Sequence, residues 1–310
     1  MVWGALLTVY VVWGSTYLAI RIMVETMPSL LSAGVRFAVA GAIFYAALRL
    51  RGGAARMAVT RTQVGAAALV GTLLCFGGNG LVTVAEEDVP SGLAALIIGA
   101  VPLWVVIMRL IDGDRVPKGT LAGVGVGFLG LAVLVLPADR PDDAPLLGML
   151  VIVLASISWA AGSFYSKRMD LPADTLVSTA FQMLLGGAAM IVVALAAGEA
   201  AEVDLGAFST RSTLAFAYLI VAGSLLAFTA YTWLLQNAPI STVATYAYVN
   251  PVIAVVLGAL VLSEEVTVTV VVGAAAIVLS VAAVVRRESA DPARAGAERV
   301  EPVAAPSSAP

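Results

Sequence analysis

The residues that could do chemistry in this chain sit in apolar surroundings. Asn250 precedes Pro251 in the middle of NAPISTVATYAYVNPVIAVVLGALVLSEE, residues 237–265. Its amide offers donors and an acceptor. Proline has no N–H and disrupts the bond to a carbonyl one turn earlier. An amide beside a freed carbonyl suits an ammonium or hydroxyl group. The alternative is that Asn250 ties its helix to a neighbour while Pro251 only kinks its own. Thr242, Thr245 and Tyr246 precede them at spacings that share a face with Asn250 or Val249. Trp13 and Trp159 are candidate walls for an apolar side chain or a cation. Ser15, Tyr17 and Ser163 place hydroxyls close by, and Trp104 lies two residues past Pro102. Plain packing of large residues beside Gly14 and Gly162 is the competing account of the tryptophans.

Asn79 and Thr83 are one turn apart. Asn79 belongs to the run Gly77-Gly78-Asn79-Gly80, which lies inside an apolar stretch and so is no phosphate cradle. Such glycines favour close helix approach or a bend. Tyr231 and Trp233 occupy the corresponding stretch of the second half. Arg36 is a base well inside an apolar stretch. It could snorkel, bind a substrate carboxylate or pair with an acid. Glu86 is its partner by depth, and a structural or gating pair is favoured because buried charges usually pair.

Composition removes whole classes of function. There is no histidine, which excludes a Ser-His-Asp triad, a His proton relay and a His-ligated metal. The single cysteine, Cys75, forms neither an internal disulfide nor a zinc site. No cofactor is implied. Net charge is −3, with no electrostatic case for nucleic acid. Hydrophobic residues make up 61% and mean hydropathy is +1.00, so the chain reads as a membrane protein. It starts directly as a spanning segment, with no removable signal peptide expected. No Asp or Glu falls near the middle of a span, which argues for facilitated diffusion or exchange rather than proton coupling.

The elements that must position these residues are membrane helices of roughly 20 residues each. Ten windows qualify, at about 3–24, 30–49, 63–85, 91–111, 119–136, 146–167, 176–197, 213–235, 240–262 and 268–285. The fold class is all-α. Basic residues cluster on one set of loops (Arg49, Arg51, Arg56, Arg61, Arg109, Arg115, Lys118, Lys167, Arg168) and after the last span (Arg286, Arg287). The opposite loops are rich in acids. The positive-inside rule puts the basic set and both termini in the cytoplasm. The tail, 286–310, is expected to be a disordered cytoplasmic extension.

The chain is written twice. Pro90 and Pro102 recur as Pro239 and Pro251, 149 positions on, and Trp13, Arg21, Arg36 and Gly41 match Trp159, Lys167, Gln182 and Gly187 at 146. Five spans per copy is an odd number, so the copies must be inverted about an axis in the membrane plane. Gly119, Gly123 and Gly127 recur at every fourth residue of the fifth span, with Gly273 at the matching position of the tenth. That small-residue face fits a contact between the repeats, or a homodimer through spans 5 and 10.

At this point WGSTYLAIR (13–21), AGVRF (33–37) and YVNPVIAVVLG (248–258) followed by Glu264-Glu265 resemble the EamA repeat of the drug/metabolite transporter superfamily. GNGLVTVAE (78–86), VPSGLAAL (89–96) and SISWAAGSFYSKR (156–168) resemble its YedA-like bacterial branch. The resemblance covers residues 3–285. It implies ten helices, cytoplasmic termini, a central cavity and export of small metabolites.

The resulting reading is a secondary transporter, not an enzyme. Residues 3–136 form a first repeat and 146–285 a second. A small amphipathic metabolite, an amino acid or related compound, binds between spans 1, 3, 4, 6, 8 and 9. Expected binding residues are Trp13, Tyr17, Asn79, Thr83, Trp104, Trp159, Ser163, Tyr231, Tyr246 and Asn250; Pro102, Pro251, Arg36 and Glu86 are expected to gate. The rival within transport is a proton-coupled multidrug efflux pump. An intramembrane enzyme or a scaffold finds little support.

Overall fold

The structure, a computed structural model, describes residues 1–136, 144–166, 168–238, 240–243 and 245–289. Most of the expected tail, with Lys167 and Pro239, lies outside them. The described residues form helices and no strands. This follows from the solvent: in lipid each backbone polar group must be bonded within its own segment or a closed barrel.

Ten spanning elements result: α1 (Val2–Val24), α2 (Ser29–Arg56), α3 (Arg61–Ala85), α4 (Ser91–Ile111), α5 (Lys118–Val135), α6 (Leu146–Ser166), α7 (Thr175–Ala197), α8 (Thr210–Tyr231, continuing to Asn237), α9 (Tyr246–Leu262, preceded by the short helix Ile240–Val243) and α10 (Val268–Ser289). Among the described residues nine are long and apolar enough to cross a membrane, and α9 is a shorter apolar helix. Large apolar side chains such as Leu129, Leu147, Val192, Leu260 and Leu279 stay exposed on the outside of the bundle, as lipid contact requires.

Four helices depart from regular geometry, α2 at Gly53 (φ 72°) near its C-terminal end. α3 changes to π-helix over Thr72–Gly80, and α8 does the same over Leu219–Leu226. The two stretches occupy matching places in the two repeats. α4 is interrupted between Ser91–Ile98 and Val101–Ile111. Pro102 opens the second piece in its first turn, where a missing N–H costs nothing. Its counterpart Pro251 instead lies within the continuous helix of α9. The repeats are therefore similar but not equal at their prolines.

The packing follows the duplication. α2 packs on α7 and α5 on α10. α1 lies against α8 and α9, while α6 lies against α3 and α4. Exchanging each helix for the one five places away maps this pattern onto itself, as a two-repeat fold requires. The matched glycines show why the first of these crossings is close. A Cβ on Gly41 would sit 2.8 Å from the backbone N of Leu184, and one on Gly187 2.7 Å from that of Ala38. The glycine face of α5 is occupied within the chain: a Cβ on Gly127 would meet Ser280 at 2.6 Å and one on Gly130 would meet Ala276 at 2.7 Å, both on α10.

Loops of each set meet one another. On the base-rich side Arg56 pairs with Asp174 at 2.7 Å, and Arg168 with Asp112 at 2.7 Å. Asp174 also caps α7, accepting from the N–H groups of Leu176 and Val177. On the acid-rich side Glu199 accepts from the N–H groups of Leu30 and Leu31 at the start of α2. Arg211 faces Glu25 at 3.6 Å.

Candidate functional site

Cys75, Gly78 and Asn79 in the π stretch of α3, and Gly223 and Ser224 in that of α8, lie at the centre of the bundle. Short π segments inside α-helices are frequent at functional sites. Each meets a tryptophan from the other repeat. Trp159 of α6 lies across Gly78, where a Cβ would stand 2.6 Å from its ring. Trp13 of α1 donates its indole N–H to the Gly223 carbonyl at 3.2 Å. Gly77 is likewise filled by Ser158, whose hydroxyl donates to the Leu73 carbonyl at 2.8 Å. The glycines thus serve close approach of α6.

Between these contacts lies a cavity of about 190 Å³. That is many times the roughly 10–15 Å³ a single water needs on the same measure. The expected residues Trp13, Tyr17, Asn79, Trp159, Tyr246, Asn250, Pro102, Pro251 and Arg36 all line it. So do residues that sequence reasoning did not single out as site residues: Thr16, Phe37, Cys75, Thr179, Gln182, Ser224 and Phe228. A signal existed for Gln182, the repeat counterpart of Arg36. The other five expected residues sit elsewhere. Thr83 is buried and its hydroxyl donates to the Asn79 carbonyl at 2.9 Å. Trp104 stands edge-on to Phe128 of α5, with centroids 4.5 Å apart. Ser163 is on α6 beyond the cavity, its carbonyl accepting from Ser166 at 2.8 Å. Tyr231 stands behind Trp13, with centroids 5.1 Å apart, in an aromatic group completed by Phe228 and Tyr246. Glu86 lies outside the cavity wall.

The electrostatics of the wall are simple. Among the described lining residues Arg36 is charged and no carboxylate is present. Arg36 is 4% exposed; its Nε donates to the Ser224 hydroxyl at 3.0 Å and its guanidinium lies over the Phe37 ring at 4.7 Å. The expected pairing with Glu86 is not formed, because Arg36 is held toward α8 by Ser224 while Glu86 has no hydrogen-bond partner. The side-chain oxygen of Asn250 is buried and also without a partner. The wall thus offers a fixed cation, a buried unused acceptor at Asn250 and a set of aromatic faces. No cluster of three or more metal-ligating side chains occurs among the described residues.

Residues 2–136 and 146–286 each match the EamA-like transporter family. The chain belongs to that family. It is a multi-pass membrane transporter and not an enzyme. It is 40% identical over 257 residues to the uncharacterized inner membrane transporter YedA of Escherichia coli K12, covering 82% of this chain and 81% of that protein. A probable amino-acid metabolite efflux pump of the same organism is 27% identical over 169 residues, 53% of this chain and 52% of that one. A solved structure, described as the crystal structure of a protein, matches with a TM-score of 0.63 and 20% identity over 92% of this chain and 97% of its own. That likeness concerns the fold alone.

The acid-rich end carries cross-links between helices. Arg21 of α1 donates to the backbone carbonyls of Glu86 and Glu87 after α3. Ser263 takes a left-handed conformation (φ 58°) and turns the chain back after α9. Glu264 then accepts from the N–H groups of Ser91 and Gly92 at 2.7 and 2.9 Å, capping α4. Gly258 leaves the room for that carboxylate: a Cβ there would overlap it. These contacts join α1 and α9 to α3 and α4. The pairs at the base-rich end, Arg56–Asp174 and Arg168–Asp112, run alongside this divide and do not bridge it.

Proposed function

We propose that the protein exports a small amphipathic metabolite, an amino acid or related compound, across the bacterial inner membrane by alternating access. The observation that carries this reading is the pairing, in one cavity between the repeats, of Arg36 with the unpartnered oxygen of Asn250 and an aromatic wall. A carboxylate suits a guanidinium. An ammonium suits a free amide oxygen, and an apolar side chain suits Trp13, Trp159, Tyr246 and Phe228. A cationic drug would meet Arg36 with no acid in the described wall to offset it, which weighs against the multidrug reading. The name of the 27%-identical efflux pump points the same way.

In this reading residues 3–136 and 146–285 are the two repeat units, and both termini lie in the cytoplasm. The cross-linked acid-rich end is the closed outer gate, governed by Arg21, Glu86 and Glu264. The break before Pro102 and the lost N–H at Pro251 let α4 and α9 bend when it opens. Substrate loads from the cytoplasmic side.

The test is counterflow into proteoliposomes preloaded with single amino acids, nucleosides or quaternary cations. Saturable exchange of amino acids, lost on Asn250→Ala at equal folded protein, is the expected result. Exchange of quaternary cations alone, or an unimpaired Asn250→Ala, would remove this assignment.

A further inference from the structure

Glu86 is the first residue past α3, and it is 0% exposed. Neither carboxyl oxygen has a hydrogen-bond partner. Its neighbours do not repair this. Arg21 spends its guanidinium on the backbone carbonyls of residues 86 and 87, and Arg36 is held by Ser224. Tyr17 of α1 faces Glu86, and so does Glu264 from beyond α9, which opposes a second negative charge. Glu87 and Asp88, next along the chain, are exposed to water. A buried, unpartnered carboxylate is costly, and a neutral carboxyl is far less so.

We propose that Glu86 is a proton-binding site of the closed outer gate, and that its proton must leave before that gate opens. Closing removes the carboxyl from water, so it takes up one proton. Opening lets water reach it, the O–H bond breaks, the proton passes to water on the acid-rich side and a hydrated carboxylate remains. Burial, followed by the Glu264 charge, pushes the proton affinity of Glu86 well above the carboxylate range, against Arg21 and Arg36. The site exchanges protons at the outer end and not at mid-membrane. It therefore sets which way the carrier faces without requiring that a proton cross with the substrate. The idea rests on alternating access but not on the identity of the substrate.

Two measurements on the full-length protein test it without any substrate. Infrared difference spectra should show a neutral-carboxyl C=O band at pH 7 that is absent in Glu86→Gln. Glu264→Gln should move the titration of that band to lower pH. In a Cys75→Ser background, Ser91→Cys should react with a membrane-impermeant maleimide faster as external pH rises. Taken relative to an exposed Glu202→Cys reporter, which carries the thiol's own ionisation, one proton released from Glu86 limits the gain to about tenfold per pH unit. Glu86→Gln should flatten that dependence. A spectrum in which Glu86→Gln removes no neutral-carboxyl band, or a Ser91→Cys rate relative to Glu202→Cys that is equally steep in pH with Gln at 86, would overturn the proposal. Failure of amino-acid counterflow would leave both results standing and would count only against the substrate assignment.

Discussion

Glu264 offers a quantitative handle on the outer gate. Its carboxylate accepts from the Ser91 and Gly92 N–H groups at 2.7 and 2.9 Å, at the start of α4 where no other cap is present. Hydrogen bonds to a charged group are each worth about 1.5 kcal/mol net at the low end. Two give about 3 kcal/mol, or roughly a hundredfold in an equilibrium constant, at about 1.4 kcal/mol per tenfold. In the open state water can serve both N–H groups, so Glu264→Ala should penalise the closed state selectively. The assay is the labelling rate of Ser91→Cys from the acid-rich side at fixed pH. The rate should rise by about two orders of magnitude if opening limits it, since a 3 kcal/mol loss falls wholly on the closed form. Glu265→Ala, at an exposed neighbour, should stay within about twofold, the usual range for surface changes. Equal rates for Glu264→Ala and Glu265→Ala would refute the idea that this cap holds the gate.

Other outcomes follow from the packing and the caps. A Cβ on Gly71 would overlap the Gln182 carbonyl, whereas Gly65 on the same helix has open space. Gly71→Ala should therefore lower stability in detergent by about 1–3 kcal/mol, while Gly65→Ala should be neutral or stabilising by up to about 1 kcal/mol; thermal unfolding distinguishes them. Burial alone would raise the Asp174 carboxyl, but Arg56 and the Val177 and Leu176 N–H groups hold it below its ordinary value. A depressed carboxylate stabilises above its unfolded value and loses that contribution as pH falls through its folded one. Asp174→Ala should cost about 1 kcal/mol at neutral pH, the usual worth of an N-cap, and the difference should vanish in acid, as unfolding curves at several pH values would show.

Much of this architecture is legible in the sequence because lipid leaves the backbone few choices. Long apolar runs must be helices, and a matched spacing of Trp, Gly and Pro exposes the duplication. The same logic reaches the cavity: Trp13 and Trp159 share one depth in two copies, and both line it. What is not legible depends on rotation about a helix axis and on which helix lies opposite. Trp104 is near Pro102 in sequence, but two residues turn a helix by about 200°, which aims it at α5. Thr83 shares a face with Asn79 yet spends its hydroxyl on the backbone. Arg36 and Glu86 lie at compatible depths, but depth does not reveal that Ser224, 188 residues away, holds the guanidinium first. The π stretches have no signature in composition.

The contact of α1 with α8 and α9 has a consequence for synthesis. α1 leaves the ribosome before α8 and α9, and roughly 220 residues separate its end from the start of α9. At about 5–20 residues per second, that interval is on the order of ten to forty seconds. For that time the helix bearing Trp13 and Tyr17 waits in lipid without its final partners. Trp3, Leu7 and Val11 form a stripe that stays exposed even in the finished bundle. That stripe suits a helix that has to be at home in the bilayer before it has neighbours.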